Sequence, residues 1–332
     1  MSTTVVDRAT ELLEMIEGKW MTQAIGVAAE LGIADLVAAG KRDAAALATA
    51  SGCDVDAIER LLRALVALGV CTREPDHSYT LTPMGTLLTD DAPASLRSWA
   101  IWSARYHWPT WGKLIDSVRT GESARVLLGG TNDYGHLDRD AAAARTFNRG
   151  LGGLSYIVGS ELARMYDFSA VRCVMDVGGG EGHLLAALLE KHSHLRGILF
   201  DRDHALDTAL PLDRSERRAG DFFEQIPAGA DAYVMKSILH NWDDEHCARI
   251  LDRCRAAMGA QGRLLLVERV LPDTLRGEAS ERPLARSDLN MLVGFSGRER
   301  SLQAFGRLVS GCGLAVKACQ PLAFGFSLIE TG

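Results

Sequence analysis

Four glycines fall within five residues, Gly178, Gly179, Gly180 and Gly182 in "MDVGGGEGHLLAALLEKH", between an apolar run and an amphipathic one. The pattern reads as a strand, a tight turn and the start of a helix, with side chains removed where a ligand can approach the backbone. A phosphate-binding loop is excluded because no Gly-Lys-Ser/Thr ending follows. The dinucleotide fingerprint fails as well, since counting from Gly178 its last glycine position is His183. Asp176, just before the glycines, would repel a pyrophosphate and suits a ligand carrying an ammonium group or hydroxyls; capping the following helix is its structural alternative.

The turn sits in a repeating texture. After about Arg172, "RCVMDV", "GILF", "DAYVMKSIL" and "RLLLVERVL" are short apolar runs separated by helical segments, as in a parallel sheet wrapped by helices. Cys247, Ile250, Leu251, Cys254, Ala257 and Met258 mark the buried face of a crossover helix. "LAVKACQP" and "LAFGFSLIET" leave no room for a helix between them and read as a closing antiparallel hairpin. From Val5 to about Tyr166 the texture is helical, with Ile58, Leu61, Leu62, Leu65 and Leu68 on one helix face. "VCTREPDHSYTLTPMG" then reads as a hairpin, giving a winged-helix-like unit. Three segments are expected: a helical and winged-helix domain over 1–95, a helical linker over 96–168, and an α/β domain with a doubly wound, Rossmann-like sheet over 169–332.

In such a sheet the ligand meets the C-terminal ends of the strands. There stand Asp176 with Gly178 and Gly180, then Asp201 in "FDRD", then Asp221 and Phe222 in "AGDFFE". Next come His240 in "LHNWDDEH" and Glu268 in "VERVLP". Asp201 lies about twenty residues past the glycines, where a carboxylate grips ribose hydroxyls. Asp221 and Phe222 can address the amino group and face of an adenine.

The ordered set D-V-G-G-G-E-G, F-D, G-D-F-F, L-H-N-W-D-D-E, V-E and "GRERS" resembles the small-molecule O-methyltransferases that use S-adenosylmethionine. The resemblance covers nearly the whole chain and implies a seven-stranded methyltransferase sheet with an N-terminal dimerisation domain. It implies a homodimer, a cofactor of S-adenosylmethionine, and an acceptor that is a plant-type phenolic or a bacterial aromatic polyketide, naphthoic acids included. It makes His240 the general base, with Glu268 and Glu299 as its supports. Arg202, Phe223 and Lys236 join Asp176, Gly178, Gly180, Asp201, Asp221 and Phe222 around the cofactor. A phenol of pKa about 10 gives its proton to an imidazole of about 6.5 at a cost of roughly 5 kcal/mol if transfer is complete, and neighbouring carboxylates shrink that gap. The residue after the histidine is often Asp in plant relatives and is Asn241 here, which removes a charge.

For the acceptor pocket, Trp99, Trp102 and Tyr106 stand at helical spacing in "SWAIWSARYHWPTWGK". Phe147, Asn148 and Arg149 follow in "FNRGLGG", and Asn290, Met291 and Phe295 in "DLNMLVGFSG". Arg149 either pairs with an acceptor carboxylate or forms a surface salt bridge. Glu299 lies in a charged, loop-like stretch that is exposed by default.

Composition closes off other classes. A formal charge of -7 disfavours a general nucleic-acid binder, and the helix "DVDAIERLLRALVALG" carries only Arg60 and Arg63, so dimerisation is the better reading than a DNA-binding regulator. Seven cysteines without a C-x-x-C pair argue against a disulfide framework and a zinc site, and no metal is assigned. No apolar run approaches a membrane span and the N-terminus is polar, so a cytoplasmic protein is expected. A relative that binds S-adenosylmethionine but decarboxylates or hydroxylates remains the enzymatic alternative, with a nicotinamide dehydrogenase a distant third.

Overall fold

Apolar residues that alternate in direction along each strand need cover on both faces of the sheet, and this requirement shapes the larger part of the chain. The computed structural model describes residues 3–130, 140–259, 261–295 and 297–332. They form two compact units, Met1–Pro109 with Ala141–Leu151, and Thr110–Asp140 with Gly152–Gly332. The stretch 96–168 is thus shared between the units, and the helix Ala141–Met165 contributes to both.

The first unit packs the helices Lys19–Glu30, Ile33–Ala38, Ala44–Ser51 and Val55–Ala67 against a two-stranded ladder of β1 (Cys71–Arg73) and β2 (Tyr79–Leu81). Asp43 and Asp54 accept the N–H groups of Ala46 and Ala57, satisfying helix-start donors that otherwise cost about 1 kcal/mol. Ile58, Leu62 and Leu65 are the buried face of the last helix, as its periodicity predicts. Farther along, the helix Arg97–Ile101 widens into a π-helical turn over Trp102–Tyr106. The extra residue in that turn breaks the single face on which spacing alone aligns Trp99, Trp102 and Tyr106. Trp102 instead stacks on Tyr106 at 5.2 Å and meets Phe147 at 4.8 Å, while Trp99 turns its edge to His107 at 6.2 Å.

In the second unit β3 (Cys173–Val177), β4 (Arg196–Asp201), β5 (Ser215–Ala219), β6 (Ala232–Lys236) and β7 (Arg263–Leu271) run parallel. β8 (Arg300–Ser301) pairs with β7, and β9 (Val316–Pro321) and β10 (Phe326–Thr331) form the expected antiparallel hairpin. The order β5-β4-β3-β6-β7-β10-β9 gives the seven-stranded path, with β8 as an added short strand. Met175, Tyr233, Met235, Leu264 and Leu266 pack on one face against Ile250, Leu251, Cys254 and Phe305. Val174, Val234, Leu265 and Val267 pack on the other against Leu162, Leu184 and Leu188. Strand order reverses between β3 and β6, so the crevice beyond their C-terminal ends is where a ligand fits. Among the described residues no helix is long and apolar enough to cross a membrane.

Candidate active site

At the end of β3 the chain turns through Gly178, Gly180 and Gly182, all at positive φ (69°, 57° and 85°), and enters the helix His183–Lys191. A side chain on Gly178 would strike Ile238 at 2.5 Å, whereas one on Gly180 would meet nothing within 4 Å. The turn is therefore closed beneath and open above Gly180, which suits a ligand lying on the backbone. Asp201 ties the turn to β4, its carboxylate accepting the N–H of Gly180 and of Arg202, each at 2.7 Å. Each oxygen keeps a free lone pair for a hydroxyl. Asp221 accepts the Phe223 N–H at 2.8 Å and lies 3.5 Å from the Arg202 guanidinium.

Two expectations about this end are refined. Asp176 is only 2% exposed and lies under the turn, so close that a side chain on Gly179 would collide with its carboxyl. Burial and the charge of Asp201 push its pKa up to about 7, against the pull of Lys236. Of the adjacent phenylalanines, Phe222 lies beside Gly178, while Phe223 is taken up by Trp242 at 4.7 Å, His246 at 5.6 Å and the Arg249 guanidinium at 5.1 Å. Lys236 sits over Phe326 at 5.0 Å, and burial, aided by Arg269, pulls its pKa down to about 8.

His240 stands on the short helical turn Leu239–Asn241 that follows β6. The turn is entered through Ser237 at φ 56°, a left-handed conformation that costs a non-glycine residue about 1 kcal/mol and gathers where a site demands it. Glu268 on β7 compensates: its Oε1 accepts the N–H groups of Ile238 and Leu239 at 2.9 and 2.8 Å. Burial raises the Glu268 carboxyl above the usual range, although His240 and the two N–H bonds pull the other way.

Glu299 is 3% exposed, contrary to the default for its charged stretch. Its Oε1 lies 3.1 Å from His240 Nδ1 and accepts the Ser287 hydroxyl at 2.6 Å. Burial works to raise Glu299, but the bond and charge of His240, the Ser287 bond and the charge of Arg269 outweigh it and hold the carboxyl below its usual range. An ionised Glu299 only accepts, so Nδ1 donates and the lone pair stands on Nε2. No described residue bonds to that nitrogen. Donor atoms of His240, Glu268 and Glu299 lie within 4.8 Å of one another. The Oε1 atoms of the two glutamates serve the histidine and its turn, and their Oε2 atoms are buried without a hydrogen-bond partner.

Sequence reasoning missed three neighbours. Arg300 bonds the carbonyls of Leu239 and Trp242 at 2.9 and 2.6 Å and Asp244 at 2.7 Å, clamping the turn that carries His240. Gly297 lets its loop pass so close that a side chain there would lie 1.9 Å from the His240 carbonyl. Ser287 is the third. The alternation in "GRERS" could have exposed Arg300, because neighbours in extended chain point oppositely.

For the acceptor candidates, Asn241 bonds the Ser237 carbonyl through Nδ2 at 3.1 Å, and its buried Oδ1 has no partner. Met291 and Phe295 are buried, Asn290 half-buried, and the Arg125 guanidinium covers Phe295 at 4.8 Å. In the other unit Phe147 is buried and Asn148 half-buried, while Arg149 pairs with Asp90 at 3.2 Å, both exposed. That is the salt-bridge alternative, and a carboxylate role for Arg149 would require the pair to open. His192 and His194 bond the carbonyls of Ala163 and Phe168, His183 pairs with Glu181, and His246 with Asp243.

Residues 111–315 match the family model described as an O-methyltransferase domain, and residues 13–91 match an O-methyltransferase dimerisation domain. The phenazine O-methyltransferase PhzM of Lysobacter antibioticus is 37% identical over 328 residues, covering 96% of this chain and 94% of that protein. The 2,7-dihydroxy-5-methyl-1-naphthoate 7-O-methyltransferase of Streptomyces carzinostaticus is 38% identical over 317 residues, covering 92% and 93%. Among solved structures, the O-methyltransferase NcsB1 from neocarzinostatin biosynthesis, in complex with S-adenosylmethionine and 2-hydroxy-5-methyl naphthoic acid, superposes with a TM-score of 0.70 at 36% identity, covering 94% and 95%.

Proposed function

The chain belongs to the O-methyltransferase family, and we propose that it methylates a phenolic hydroxyl of an aromatic, polyketide-like acid, with His240 taking the phenol's proton. The observation that carries this reading is the buried pair of His240 Nδ1 and Glu299 Oε1 at 3.1 Å, which leaves Nε2 as the acceptor. The family's cofactor, S-adenosylmethionine, supplies a sulfonium-activated methyl group when bound. The open backbone at Gly180, the ring of Phe222 and the carboxylates of Asp201 and Asp221 fit its adenosine: hydroxyls to Asp201, adenine to Phe222 and Asp221. Glu268 fixes the His240 turn, and ionised Glu299 stabilises the imidazolium once the proton has moved. The remaining work is holding the phenolate oxygen in line with the methyl.

Incubation with methyl-labelled S-adenosylmethionine and a series of hydroxylated naphthoic, benzoic and cinnamic acids tests the reading. One labelled methyl on a ring oxygen is expected. Label on a carboxyl oxygen, or none on any acceptor, would contradict it. Asp201→Ala is expected to raise the calorimetric dissociation constant for S-adenosylmethionine by about 10- to 100-fold, the worth of one or two charge-assisted hydrogen bonds. An unchanged constant would remove Asp201 from the cofactor site.

The dimerisation domain acts here by pairing two copies of the chain. Val5, Leu12, Leu13 and Ile16 lie on one face of the helix Thr3–Glu17 and are 55 to 60% exposed, an apolar stripe that a second copy would cover. The variant carrying both Leu12→Asp and Ile16→Asp should sediment as a folded monomer where the wild type sediments as a dimer; a persisting dimer would place the interface elsewhere. All seven cysteines stand free, in keeping with a reducing, cytoplasmic setting.

A further inference from the structure

Arg269 follows Glu268 in β7, so the two side chains leave opposite faces of the strand. Its guanidinium stacks over Phe326, its register partner in β10, with Cζ 4.0 Å from the ring centre. Nε is shut off from solvent without an acceptor, and among the described residues no hydrogen bond or ion pair is formed by any of its N–H groups. Arg269 is half-buried, so part of its guanidinium has given up water without a bonded counter-ion, and burial draws it below arginine's usual range, opposed by Glu299 and reinforced by Arg286. Glu299 offsets that charge through space without bonding to it: its Oε1 is bonded to His240 and Ser287, and its Oε2 has no hydrogen-bond partner. Arg286, on the helix Arg282–Gly294, and Lys236, over the same Phe326 ring, add positive charge nearby. Stacking occupies the flat face of the guanidinium and leaves the donors at its rim, the arrangement that meets a planar carboxylate two bonds at a time.

We propose that Arg269 binds the carboxylate of the methyl acceptor and thereby selects hydroxylated aromatic acids over neutral phenols. The proposal rests on the reading of the site as a phenol O-methyltransferase. Position favours the acceptor over the cofactor's own carboxylate: the glycine turn stands on β3, two strands from β7, roughly 10 Å across the sheet. Arg269 also lies close enough to Glu299, the partner of His240, for the two charges to act on each other.

The test compares 3-hydroxy-2-naphthoic acid with its methyl ester as acceptors for the wild type, Arg269→Met and Arg269→Lys. Wild type is expected to favour the acid by about 10- to 100-fold in kcat/KM, mostly through KM. Arg269→Met should lose that preference, its rate on the ester falling much less than its rate on the acid because only the support Arg269 gives to ionised Glu299 is lost there, and Arg269→Lys should recover part of the preference. An equal fall on acid and ester, or an indifferent wild type, would overturn the proposal. So would weaker S-adenosylmethionine binding by Arg269→Met, which would assign the charge to the cofactor. If wild type methylates neither compound, the reading of the reaction fails separately. Calorimetric binding of 3-hydroxy-2-naphthoate then decides the site without turnover, equal affinity for wild type and Arg269→Met counting against it.

Discussion

His240→Ala is expected to bind S-adenosylmethionine as tightly as the wild type and to turn over about 100- to 10,000-fold more slowly. The separation follows from the chain's layout. The residues read as cofactor-binding cluster around the turn after β3 and the ends of β4 and β5, whereas His240 is held from the other direction by Glu299 and by the Glu268-pinned turn. Removing the imidazole leaves those bonds to the backbone in place, because they run to the N–H groups of Ile238 and Leu239. Calorimetry for the cofactor and single-turnover rates for the methyl make the comparison. Turnover within a few-fold of wild type would end the general-base assignment, and a parallel loss of cofactor affinity would mean that the variant has disturbed the turn.

The second large effect falls on a residue that touches no reactant. Arg300→Met should destabilise the protein by about 3 kcal/mol, read as a lower urea midpoint at unchanged slope. The buried Leu239 carbonyl loses its charged donor but keeps the Trp242 N–H and the Cys247 thiol, and the part-buried Trp242 carbonyl loses its charged donor as well, at about 1.5 kcal/mol for each charge-assisted bond. The link to Asp244 adds little, since that carboxylate is 68% exposed and solvent screens it. Those carbonyls flank His240, so the surviving folded protein should also be slower. Arg300→Lys keeps a charge but cannot reach both carbonyls and Asp244 at once, and should fall between. A midpoint unchanged from wild type would show that water replaces the clamp at no cost.

Local pattern made the sheet legible. Apolar runs gave β3, β4, β6 and β7, and the absence of helical length between the last two runs gave the β9–β10 hairpin. The grouping of His240, Glu268 and Glu299 was legible only through the order of motifs, because the three converge through tertiary packing that no local spacing reports. Where the reading fell short, the deciding contacts are distant or the backbone is irregular. A π-helical turn re-aims Trp99 and Trp102, and periodicity assumes no such turn. Arg149 meets Asp90, 59 positions away. Glu299 looks like a solvated charge in a row of charges, yet Glu299 and Arg300, where β8 begins, reach separate buried partners. Phe222 and Phe223 are adjacent and alike in sequence, and only the loop after β5 decides which ring lies beside the glycine turn.

If His240 removes the acceptor's proton ahead of methyl transfer, its loss should matter less as the phenol becomes more acidic. Single-turnover methylation by wild type and His240→Gln, followed across ring-substituted hydroxynaphthoic acids of decreasing phenol pKa, tests it most directly. Wild type should show a shallow dependence, and the variant a steep recovery as the phenol becomes acidic enough to ionise unaided. Parallel dependences, with the variant equally impaired on every acceptor, would contradict it and leave His240 a structural residue.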